Sequence, residues 1–410
     1  MEWLGAYVFY YPVTMSFFWM IGGLYYFMRR ERHAPPYQQP PPLREYPMAS
    51  VLIPCHNEGE NVDETIEAVA SQAYPDFEII AINDGSRDDT GARLDALVAK
   101  YERLRVLHLD TNQGKANALR MGAIAARSEH LVCIDGDALL EEHAVHWMML
   151  HLTSGPRVGA VTGNPRIRNC STLLGRLQVG EFSSIIGMIK RAQRTYGRLF
   201  TVSGVICAFR RTALHRIGYW NDDMLTEDID VSWRLQLDYW DIRYEPNALC
   251  FILMPETLRG LWKQRLRWAQ GGVETLVRYA GRMFHWRKRR MWGVVLEFLA
   301  SVVWTYSVFL LMLAWLLQAL TPIDLGIGQV GAFGWHGVVM AMVCLLQFAI
   351  SLRIDRRYEP GIGRYYYWMI WYPAAYWMLT LLTSVVAIPK TLLRSKRAKA
   401  IWVSPDRGVR

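Results

Sequence analysis

The chain begins with a long run of residues that carries no charge. Residues 3–28 read WLGAYVFYYPVTMSFFWMIGGLYYFM, which exceeds the roughly 20 apolar residues that a helix needs to cross a bilayer. A cleaved signal peptide has its positive charges before the apolar run and a small-residue cleavage site after it. Here the arginines of RRER at 29–32 follow the run. The sequence therefore predicts an uncleaved anchor, and the rest of the chain must fold at a membrane surface.

Three further apolar segments occur in the C-terminal part of the chain, at 293–320, 331–352 and 366–389. The first contains Glu297, and Pro373 is expected to kink the last. Any one of them taken alone fits a buried core helix, but four such segments flanked by basic clusters favour a multi-pass membrane protein. The composition agrees, because 52% of the residues are hydrophobic while 20% are charged.

The distribution of lysine and arginine predicts the orientation of these segments, because cytoplasmic loops carry the excess of positive charge. RRER after the first segment and HWRKRR before the second place the middle of the chain in the cytoplasm. The connection at 321–336 has no lysine or arginine, whereas RIDRR follows at 353–357. The basic LLRSKRAK near the C-terminus conflicts with three complete crossings. Either the last segment is re-entrant, or the C-terminus is external.

Net charge and cysteine content exclude several classes of protein. The formal net charge of +9 comes largely from basic clusters beside the apolar segments, which suits lipid head groups rather than nucleic acid. The six cysteines include no CxxC pair, so the sequence provides no zinc or disulfide framework. We expect buried free thiols and no nucleic-acid partner.

The chain divides by composition into six regions. Proline-rich PPYQQPPPLREYP at 35–47 predicts an extended linker between the anchor and a globular part. The predicted regions are an anchor at 1–30, the linker at 31–47, a globular domain at 48–255, amphipathic helices at 256–290, a membrane region at 291–392 and a basic tail at 393–410. Within 256–290, Lys263 and Arg265 suit a helix at the membrane surface, with side chains that reach toward the head groups.

Short branched apolar runs alternate with helical patterns in the globular domain. The runs lie at 49–55, 77–84, 105–110 and 130–137, and the helical patterns between them lie at 61–72, 88–102 and 114–126. This alternation predicts an α/β fold with a parallel sheet covered by helices on both faces. Ligands of such folds bind beyond the carboxyl ends of the strands. Neither GxGxxG after the first strand nor a P-loop motif occurs, so a dinucleotide-binding domain or P-loop enzyme is not expected.

Acidic residues follow two of the predicted strands. Asp84 in NDGS is compatible with an ordinary turn, whereas Asp135 and Asp137 flank a glycine directly after a buried strand. Two adjacent carboxylates with no basic neighbour in sequence favour a bound cation. Mg²⁺ or Mn²⁺ bridging a diphosphate fits this pattern best.

A second acidic group lies at 225–233, which reads LTEDIDVSW. Glu227, Asp228 and Asp230 lie around a predicted helix start, with Thr226 as a possible cap. Acidic residues are favoured at helix N-termini for structural reasons alone. The pattern therefore leaves a structural and a catalytic role open.

PCHNE, NDGS, DGD and TED, followed by QxxRW at 264–268, occur in this order along residues 48–270. The combination resembles the family 2 glycosyltransferases, and QxxRW marks the processive, membrane-embedded branch that includes cellulose, chitin and hyaluronan synthases. The resemblance implies a GT-A-type (Rossmann-like) domain inserted between N-terminal and C-terminal transmembrane helices. It extends over nearly the whole chain, through stretches such as VGAVTGNPRIR and WVSPDRG.

The activity implied by the resemblance is processive, inverting transfer of N-acetylglucosamine from UDP-N-acetylglucosamine. The expected product is a β-1,6-linked polymer, a biofilm exopolysaccharide, which is fed into the membrane. A synthase of the hyaluronan, chitin or cellulose type remains an alternative, as does a single-transfer enzyme that makes a lipid-linked sugar. A membrane-anchored binding protein without activity is disfavoured, because Asp137, Asp228 and Arg267 are all present.

The resemblance also implies roles within the catalytic motifs. Asp228 of TED is the expected base, since one carboxylate suffices for a single displacement, and Glu227 lies beside it. Arg267 is expected near the leaving diphosphate as a fixed cation. Gln264 and Trp268 are expected toward the acceptor sugar, whose C–H face stacks on an aromatic ring.

Binding residues follow from the same motif matches. The expected ligands of Mg²⁺ or Mn²⁺ are Asp137 and Asp135. The residues expected to hold the UDP-sugar donor are Pro54, Glu58, Asp84, Gly85, Lys115 and Asp135. Those expected at the acceptor are Ser203, Gly204 and Trp268. The basic stretch at 165–200 is expected either to contact the acceptor or simply to pack.

Partners and location are implied by the resemblance alone. The resemblance implies that the chain works with a small membrane subunit and that the pair responds to cyclic di-GMP bound between the two chains. We therefore expect a multi-pass protein of the bacterial inner (plasma) membrane with a cytoplasmic catalytic domain. Its expected contacts are the lipid bilayer, the growing polysaccharide and the partner subunit.

Overall fold

The computed structural model describes residues 2–283, 285–322, 335–394 and 399–400. The start of the predicted segment at 331–352 and most of the predicted basic tail at 393–410 lie outside these residues. The helices, in chain order, are α1 Glu2–Tyr26, α2 Val62–Ala70, α3 Thr90–Val98, α4 Lys115–Ala125, α5 Ala144–Leu152, α6 Leu173–Glu181, α7 Ile189–Tyr196, α8 Arg211–Ile217, α9 Glu227–Leu237, α10 Leu258–Met283, α11 Trp292–Leu320, α12 Trp335–Asp355 and α13 Trp377–Leu393.

A mixed sheet forms the centre of the globular domain. Its strands are β1 Ala49–Cys55, β2 Phe77–Asp84, β3 Leu104–Leu109, β4 His130–Ile134, β5 Leu139–Leu140, β6 Val158–Ile167, β7 Ile206–Arg210 and β8 Asp241–Ile252. They are arranged in the order β3-β2-β1-β4-β7-β6-β8-β5. The first four are parallel, as the alternating pattern predicts. β7 is antiparallel to both β4 and β6, and β5 is antiparallel to β8, whereas β6 and β8 are parallel. The prediction of a parallel sheet therefore holds for β1 to β4 and is wrong for β5 and β7.

The direction of β7 follows from the path of the chain. Between β6 and β7 the chain runs through α6 and α7, which pack on the C-terminal segments and on α1. It re-enters the sheet at the edge where β4 ends, so that Ile206 pairs with Ile134. The turn at Ser203–Gly204 and the carboxylate of Asp135 are thereby brought to the same edge. A parallel β7 would have started at the opposite edge.

Alternate residues of the central strands bury opposite faces of the sheet. In β1, Val51 and Ile53 pack in one hydrophobic cluster, whereas Leu52 packs in the cluster on the other face, as the two-residue period of a strand requires. Ile66 of α2 joins the first cluster, and Leu119 of α4 joins the second. Helices thus cover both faces, as predicted.

Within the described residues, three helical segments are long and apolar enough to cross a membrane: Trp3–Glu31, Trp286–Leu320 and Trp335–Asp355. The predicted segment at 366–389 is broken instead. It passes through a 3₁₀ turn at Ile362–Trp371 and a π-type turn at Tyr372–Tyr376, which contains Pro373, before α13 begins. α13 has 17 residues and is about 26 Å long. That length falls short of the roughly 30 Å hydrocarbon layer, so no single spanning helix forms here.

Four buried charged side chains join the membrane segments to the globular domain. Arg191 of α7 binds Glu31, at the end of the first membrane segment, through Nε at 2.7 Å, and Asp355, at the end of α12, through Nη2 at 2.9 Å. Arg166 of β6 binds the other oxygen of Asp355 at 2.7 Å. The four side chains are at most 2% exposed. In this group, which we call the anchor cluster, the two arginines from the basic stretch at 165–200 pack against acidic partners.

Candidate active site

The loops that follow β1 and β2 are joined at one edge of the sheet. Nδ1 of His56, after β1, lies 2.8 Å from the carbonyl oxygen of Asp84 at the end of β2. Because that oxygen only accepts, Nδ1 carries the proton, and Nε2 accepts from Nδ2 of Asn112 at 3.0 Å. These hydrogen bonds fix the two loops relative to each other and to the loop after β3.

Asp84 and Gly85 of the NDGS motif lie beneath the loop that leads to Lys115. Asp84 is fully buried, and its Oδ1 and Oδ2 accept from the backbone N–H groups of Gln113 and Gly114 at 2.9 and 2.8 Å. Burial raises the pKa of the Asp84 carboxyl despite these hydrogen bonds. Gly85 has a φ of +59°, and a Cβ there would lie 2.5 Å from a backbone nitrogen of the same loop. Only glycine fits this position.

Pro54 and Glu58 lie behind the loop that follows β4. Both are buried, and a Cβ on Gly136 would lie 3.0 Å from the Pro54 carbonyl oxygen and from Cγ of Glu58. Asp135 and Asp137, on either side of Gly136, are half-buried. Pro54 and Glu58 therefore lie against the DGD loop and support it from below, while Glu58 also accepts from Nδ2 of Asn61 at 3.1 Å.

A lysine and three carboxylates form the charged centre of this edge. Lys115, the first residue of α4, forms an ion pair with Asp135 after β4, and another with Glu227 at the start of α9 at 3.2 Å. Asp228 follows Glu227 on the same helix. We call Lys115, Asp135, Glu227 and Asp228 the cleft cluster. Although burial acts against its charge, the three carboxylates raise the pKa of the Lys115 ammonium above its ordinary value.

Asp228 occupies a distinct environment within the cleft cluster. Its Oδ2 accepts from the N–H of Gly204 at 3.3 Å, and its Oδ1 accepts from the N–H of Ile229 at 2.9 Å. Burial and the adjacent Glu227 carboxylate raise the pKa of Asp228 to about 6, although nearby cations act in the opposite direction. The carboxylate is therefore ionised at neutral pH and takes up a proton just below it.

The Ser203–Gly204 turn contacts the cleft cluster from the side of β7. Nζ of Lys115 donates to the Gly204 carbonyl oxygen at 3.2 Å. A Cβ on Gly204 would lie 3.3 Å from both Oδ2 of Asp228 and Nζ of Lys115, so a larger residue would crowd both groups. Ser203 faces the other way, where its Oγ accepts from the ammonium of Lys190.

Arg267 of QxxRW lies on α10, within electrostatic range of the start of α9. Its side chain is exposed. Although burial acts against the ionised form, Lys115 and Arg267 together hold the pKa of Glu227 below its ordinary value. α10 thus brings a fixed positive charge to the cleft cluster, while Trp268 beside it is half-buried.

Arg265 lies inside the protein, so the prediction that it reaches toward lipid head groups is wrong. Its side chain is 4% exposed and forms an ion pair with Glu181 at the end of α6. A buried guanidinium needs a partner of opposite charge, and this partner lies far away in sequence. Lys263, on the same helix, is exposed.

The prediction that Thr226 caps α9 is also wrong. Thr226 is the residue before the helix, but within the described chain its side chain makes no capping hydrogen bond. It packs on α10 instead, since a Cβ on Gly271 would lie 1.9 Å from Thr226 Oγ1. The glycine allows α9 and α10 to approach closely at the cleft.

Sequence reasoning missed Lys190. Nζ of this buried residue of α7 donates to Thr162 Oγ1 at 3.1 Å and to Ser203 Oγ. Burial lowers the pKa of Lys190 to about 7. Lys190 and its neighbour Arg191 belong to one basic stretch, so the sequence does not distinguish their roles. In the folded chain Lys190 lies beside the cleft, whereas Arg191 lies in the anchor cluster.

The carboxylates after β4 are compatible with a divalent cation. No group of three or more His, Cys, Asp or Glu side chains that could hold a metal ion occurs in the described part of the chain. Asp135 and Asp137 supply oxygen ligands from one loop. Mg²⁺ and related ions are commonly bound by one or two carboxylates, with the remaining positions filled by substrate phosphates and water. The donor set fits an ion that arrives with a diphosphate.

Fold and site together define the class of this protein. The structure superposes on a mannosyltransferase, PcManGT from Pyrobaculum calidifontis, solved with GDP-Man and Mn²⁺, with a TM-score of 0.61 over 95% of this chain and 99% of that chain. The sequence identity is 18%, so the likeness shows a shared fold. A model described as "Glycosyltransferase like family 2" matches residues 47–271, and the chain belongs to that family.

Curated relatives are similar to the chain over its whole length. The poly-β-1,6-N-acetyl-D-glucosamine synthase of Staphylococcus epidermidis (strain RP62A) is 40% identical over 98% of both chains. The synthase of the same name from Staphylococcus aureus (strain COL) is 39% identical over 98% of both chains. The predictions of a family 2 glycosyltransferase and of a GT-A-type domain between apolar helices are confirmed.

Proposed function

We propose that the chain is a processive, inverting synthase that polymerises N-acetylglucosamine from UDP-N-acetylglucosamine into the biofilm exopolysaccharide β-1,6-linked poly-N-acetylglucosamine. The observation that carries the reaction type is Asp228, a carboxylate with a pKa of about 6 beside the Ser203–Gly204 turn. Sugar and linkage rest on the 40% identity to the Staphylococcus epidermidis synthase.

In the proposed reaction Asp228 acts as the general base. A hydroxyl oxygen of the acceptor sugar forms the new bond to the anomeric carbon of the donor, while the bond from that carbon to the UDP oxygen breaks. The hydroxyl proton passes to the Asp228 carboxylate, and the bonding electron pair leaves with UDP. A pKa of about 6 supports this role, because the group is ionised at neutral pH yet basic enough to accept a proton.

Arg267 and the DGD loop are proposed to neutralise the negative charge that develops on the leaving diphosphate. Arg267 is exposed on α10, so it is available to a bound ligand as a fixed cation. Asp137 and Asp135 would hold Mg²⁺ or Mn²⁺, and such an ion, when bound, supplies Lewis-acid neutralisation of the leaving group. Lys115 is engaged by Asp135 and Glu227, so its proposed part is to hold these carboxylates in place.

The uridine end of the donor is proposed to lie over the loops after β1 and β2. Pro54 and Glu58 support the DGD loop from below, and Asp84 with Gly85 supports the loop that carries Lys115. Their buried positions favour an indirect contribution, in which they set the shape of the donor site. Substitution at any of them is therefore expected to weaken donor binding through loop movement.

The growing polymer is proposed to leave through a cavity between the cleft and the membrane helices. A cavity of about 240 Å³ lies beside the Ser203–Gly204 turn, between α7 and α11. Its wall includes Lys190, Gln193, Phe200, Thr201, Glu297 and Phe298. Aromatic rings beside a few polar groups suit a sugar, which presents both C–H faces and hydroxyls. Lys190 of the cavity wall donates to Ser203, and the proposed acceptor path runs from the Ser203–Gly204 turn, past Gln264 and Trp268, into this cavity.

Membrane placement and partners complete the proposal. The basic clusters beside the apolar helices favour a cytoplasmic catalytic domain in the inner membrane of a bacterium. A small membrane subunit and cyclic di-GMP, bound between the two chains, are proposed as partner and activator on the family resemblance.

Donor use by membranes that contain the protein tests this function. Membranes with the chain, the partner subunit, cyclic di-GMP and Mg²⁺ should convert labelled UDP-N-acetylglucosamine into a polymer that a β-1,6-specific hexosaminidase degrades. Membranes with the Asp228→Asn variant provide the background. Incorporation from UDP-glucose alone would indicate a cellulose-type synthase, and a short lipid-linked product would indicate single transfer. Either result would overturn the proposal.

A further inference from the structure

Arg265 lies within the QxxRW motif at 264–268 and contacts its first and last residues. Its Nη1 donates to Oε1 of Gln264 at 3.0 Å. Its guanidinium carbon lies 4.2 Å from the centre of the Trp268 ring, which is stacking distance for a cation on an aromatic face. One planar group thus orients the residues on both sides of it along α10.

The guanidinium is itself held from two other parts of the chain. Its Nη2 donates to Oε2 of Glu181, at the end of α6, and to Oη of Tyr376 at 2.9 Å. Oη of Tyr376 also donates to Oε2 of Glu181 at 2.7 Å. All three side chains are buried. We call Glu181, Arg265 and Tyr376 the brace; Tyr376 lies in the broken segment before α13.

A buried ion pair often adds no net stability, since well-packed apolar side chains of similar volume give a protein that is equally or more stable. The planar fork of arginine offers what apolar residues and lysine lack, namely several fixed donors together with a flat face. Here the donors reach Gln264, Glu181 and Tyr376, while the face covers one side of the Trp268 ring. A sugar can then stack only on the opposite side of that ring.

We propose that Arg265 is a positioning residue that presents Gln264 and Trp268 to the acceptor sugar and thereby sets the length of the polymer. This inference rests on the proposed function, in which these two residues face the acceptor. Mean chain length is the ratio of the rate of sugar addition to the rate of polymer release. A less well-oriented ring holds the acceptor more loosely, so release becomes faster while donor binding, which uses other loops, is unchanged.

The test compares polymer length with donor kinetics in Arg265→Lys and Tyr376→Phe. Lysine keeps the positive charge but loses the flat face and the fork, so chains are expected to shorten about fivefold. Phenylalanine removes one hydroxyl from the brace while keeping the ring, and chains should shorten about twofold. In both variants the KM for UDP-N-acetylglucosamine and the thermal stability in detergent should stay within about twofold and a few degrees of wild type.

Lys263→Met, an exposed change on the same helix, is the matched control and should leave length unaltered. Unchanged chain length in Arg265→Lys would overturn the inference. So would a length change that comes with a parallel rise in the KM for the donor, because that pattern indicates general damage to the site. Failure of the wild-type membranes to make polymer would instead remove the proposed function, and the inference with it.

Discussion

The anchor cluster pairs two arginines with two buried carboxylates, and Arg166 has Glu359 as a further, more exposed partner. The cleft cluster sets one lysine against three carboxylates, with Arg267 as a second cation nearby. Side chains of the anchor cluster are at most 2% exposed, while Lys115 and Asp135 keep 16% and 23% of their side-chain areas exposed. Buried charges that are paired in this way fix the geometry of the elements that carry them. An unbalanced set near solvent retains negative charge for a cation or proton from outside. The difference separates charges that hold the protein together from charges that are available to react.

The largest effect on activity is expected from Asp228→Asn in the cleft cluster. The amide cannot take the acceptor proton, so the transfer rate should fall about 10³-fold. Binding of UDP-N-acetylglucosamine and thermal stability should change little, because the side chain keeps its shape. Turnover and calorimetric donor binding on the same preparation measure both. Asp222→Asn, an exposed change nearby, serves as the control, and substantial turnover by Asp228→Asn would remove this residue as the base.

Arg191→Leu in the anchor cluster is expected to lower stability while leaving turnover largely unchanged. Removing the guanidinium leaves Glu31 and Asp355 with less compensation in a buried site, which should cost about 3–5 kcal/mol of stability. Thermal unfolding in detergent and the amount of protein in the membrane report this loss, while turnover per folded molecule should persist. Arg194→Leu on the same helix removes a more exposed pair and should cost less than about 1 kcal/mol. Equal losses in the two variants would contradict the structural role of the anchor cluster.

An intermediate effect is expected from Asp137→Asn beside the cleft cluster. Loss of one carboxylate ligand should raise the Mn²⁺ concentration for half-maximal activity at least about tenfold. Titration of EDTA-treated membranes with Mn²⁺ measures the shift, and saturating metal should restore much of the rate. Asp110→Asn, exposed in the loop after β3, is the matched change. Activity that survives EDTA in the wild type would contradict the metal role of the DGD loop.

The smallest effect concerns pH. Because the pKa of Asp228 is raised to about 6, its base form is lost as the pH falls through that value, and the turnover rate at pH 5 should lie about tenfold below its plateau. Stability changes in the other direction. The native carboxyl binds its proton more tightly than the unfolded one, so this group's contribution to stability rises as the pH falls from about 6 to about 4. A pH–rate profile and thermal unfolding of wild type and Asp228→Asn separate the two trends; a profile flat down to pH 5 would exclude a base of raised pKa.

Much of the first half of the fold could be predicted, because it depends on local patterns. The predicted runs at 49–55 and 77–84 coincide with β1 and β2, since branched apolar residues bounded by turn signals define both. The direction of β7 could not be predicted in this way. It depends on where the chain returns after α6 and α7, which is a matter of distant packing.

The candidate site likewise has features that the sequence predicts and features that depend on distant packing. The motif residues Lys115, Asp135 and Asp228 lie together at the edge of the sheet where β4 ends. Burial and partners could not be predicted, because they join residues far apart in sequence. The partner of Arg265 is Glu181, 84 residues away, and Lys190 reaches Thr162 across 28 residues. A short motif does not indicate which distant residue each of its members will contact.

The contacts of Glu31 form in a fixed order during synthesis of the chain. Glu31 lies at the end of the first apolar segment of this sequence, yet Arg191 follows 160 residues later and Tyr358, which also donates to its carboxylate, 327 residues later. Because a chain is synthesised from its N-terminus, Glu31 reaches the membrane surface before either of these partners has been made. A chain interrupted before α7 would leave the Glu31 carboxylate unmatched, whereas one interrupted before α12 would pair Glu31 with Arg191 and lack only the hydroxyl of Tyr358. The full set of contacts around Glu31 therefore forms only after α12 and Tyr358 have been synthesised.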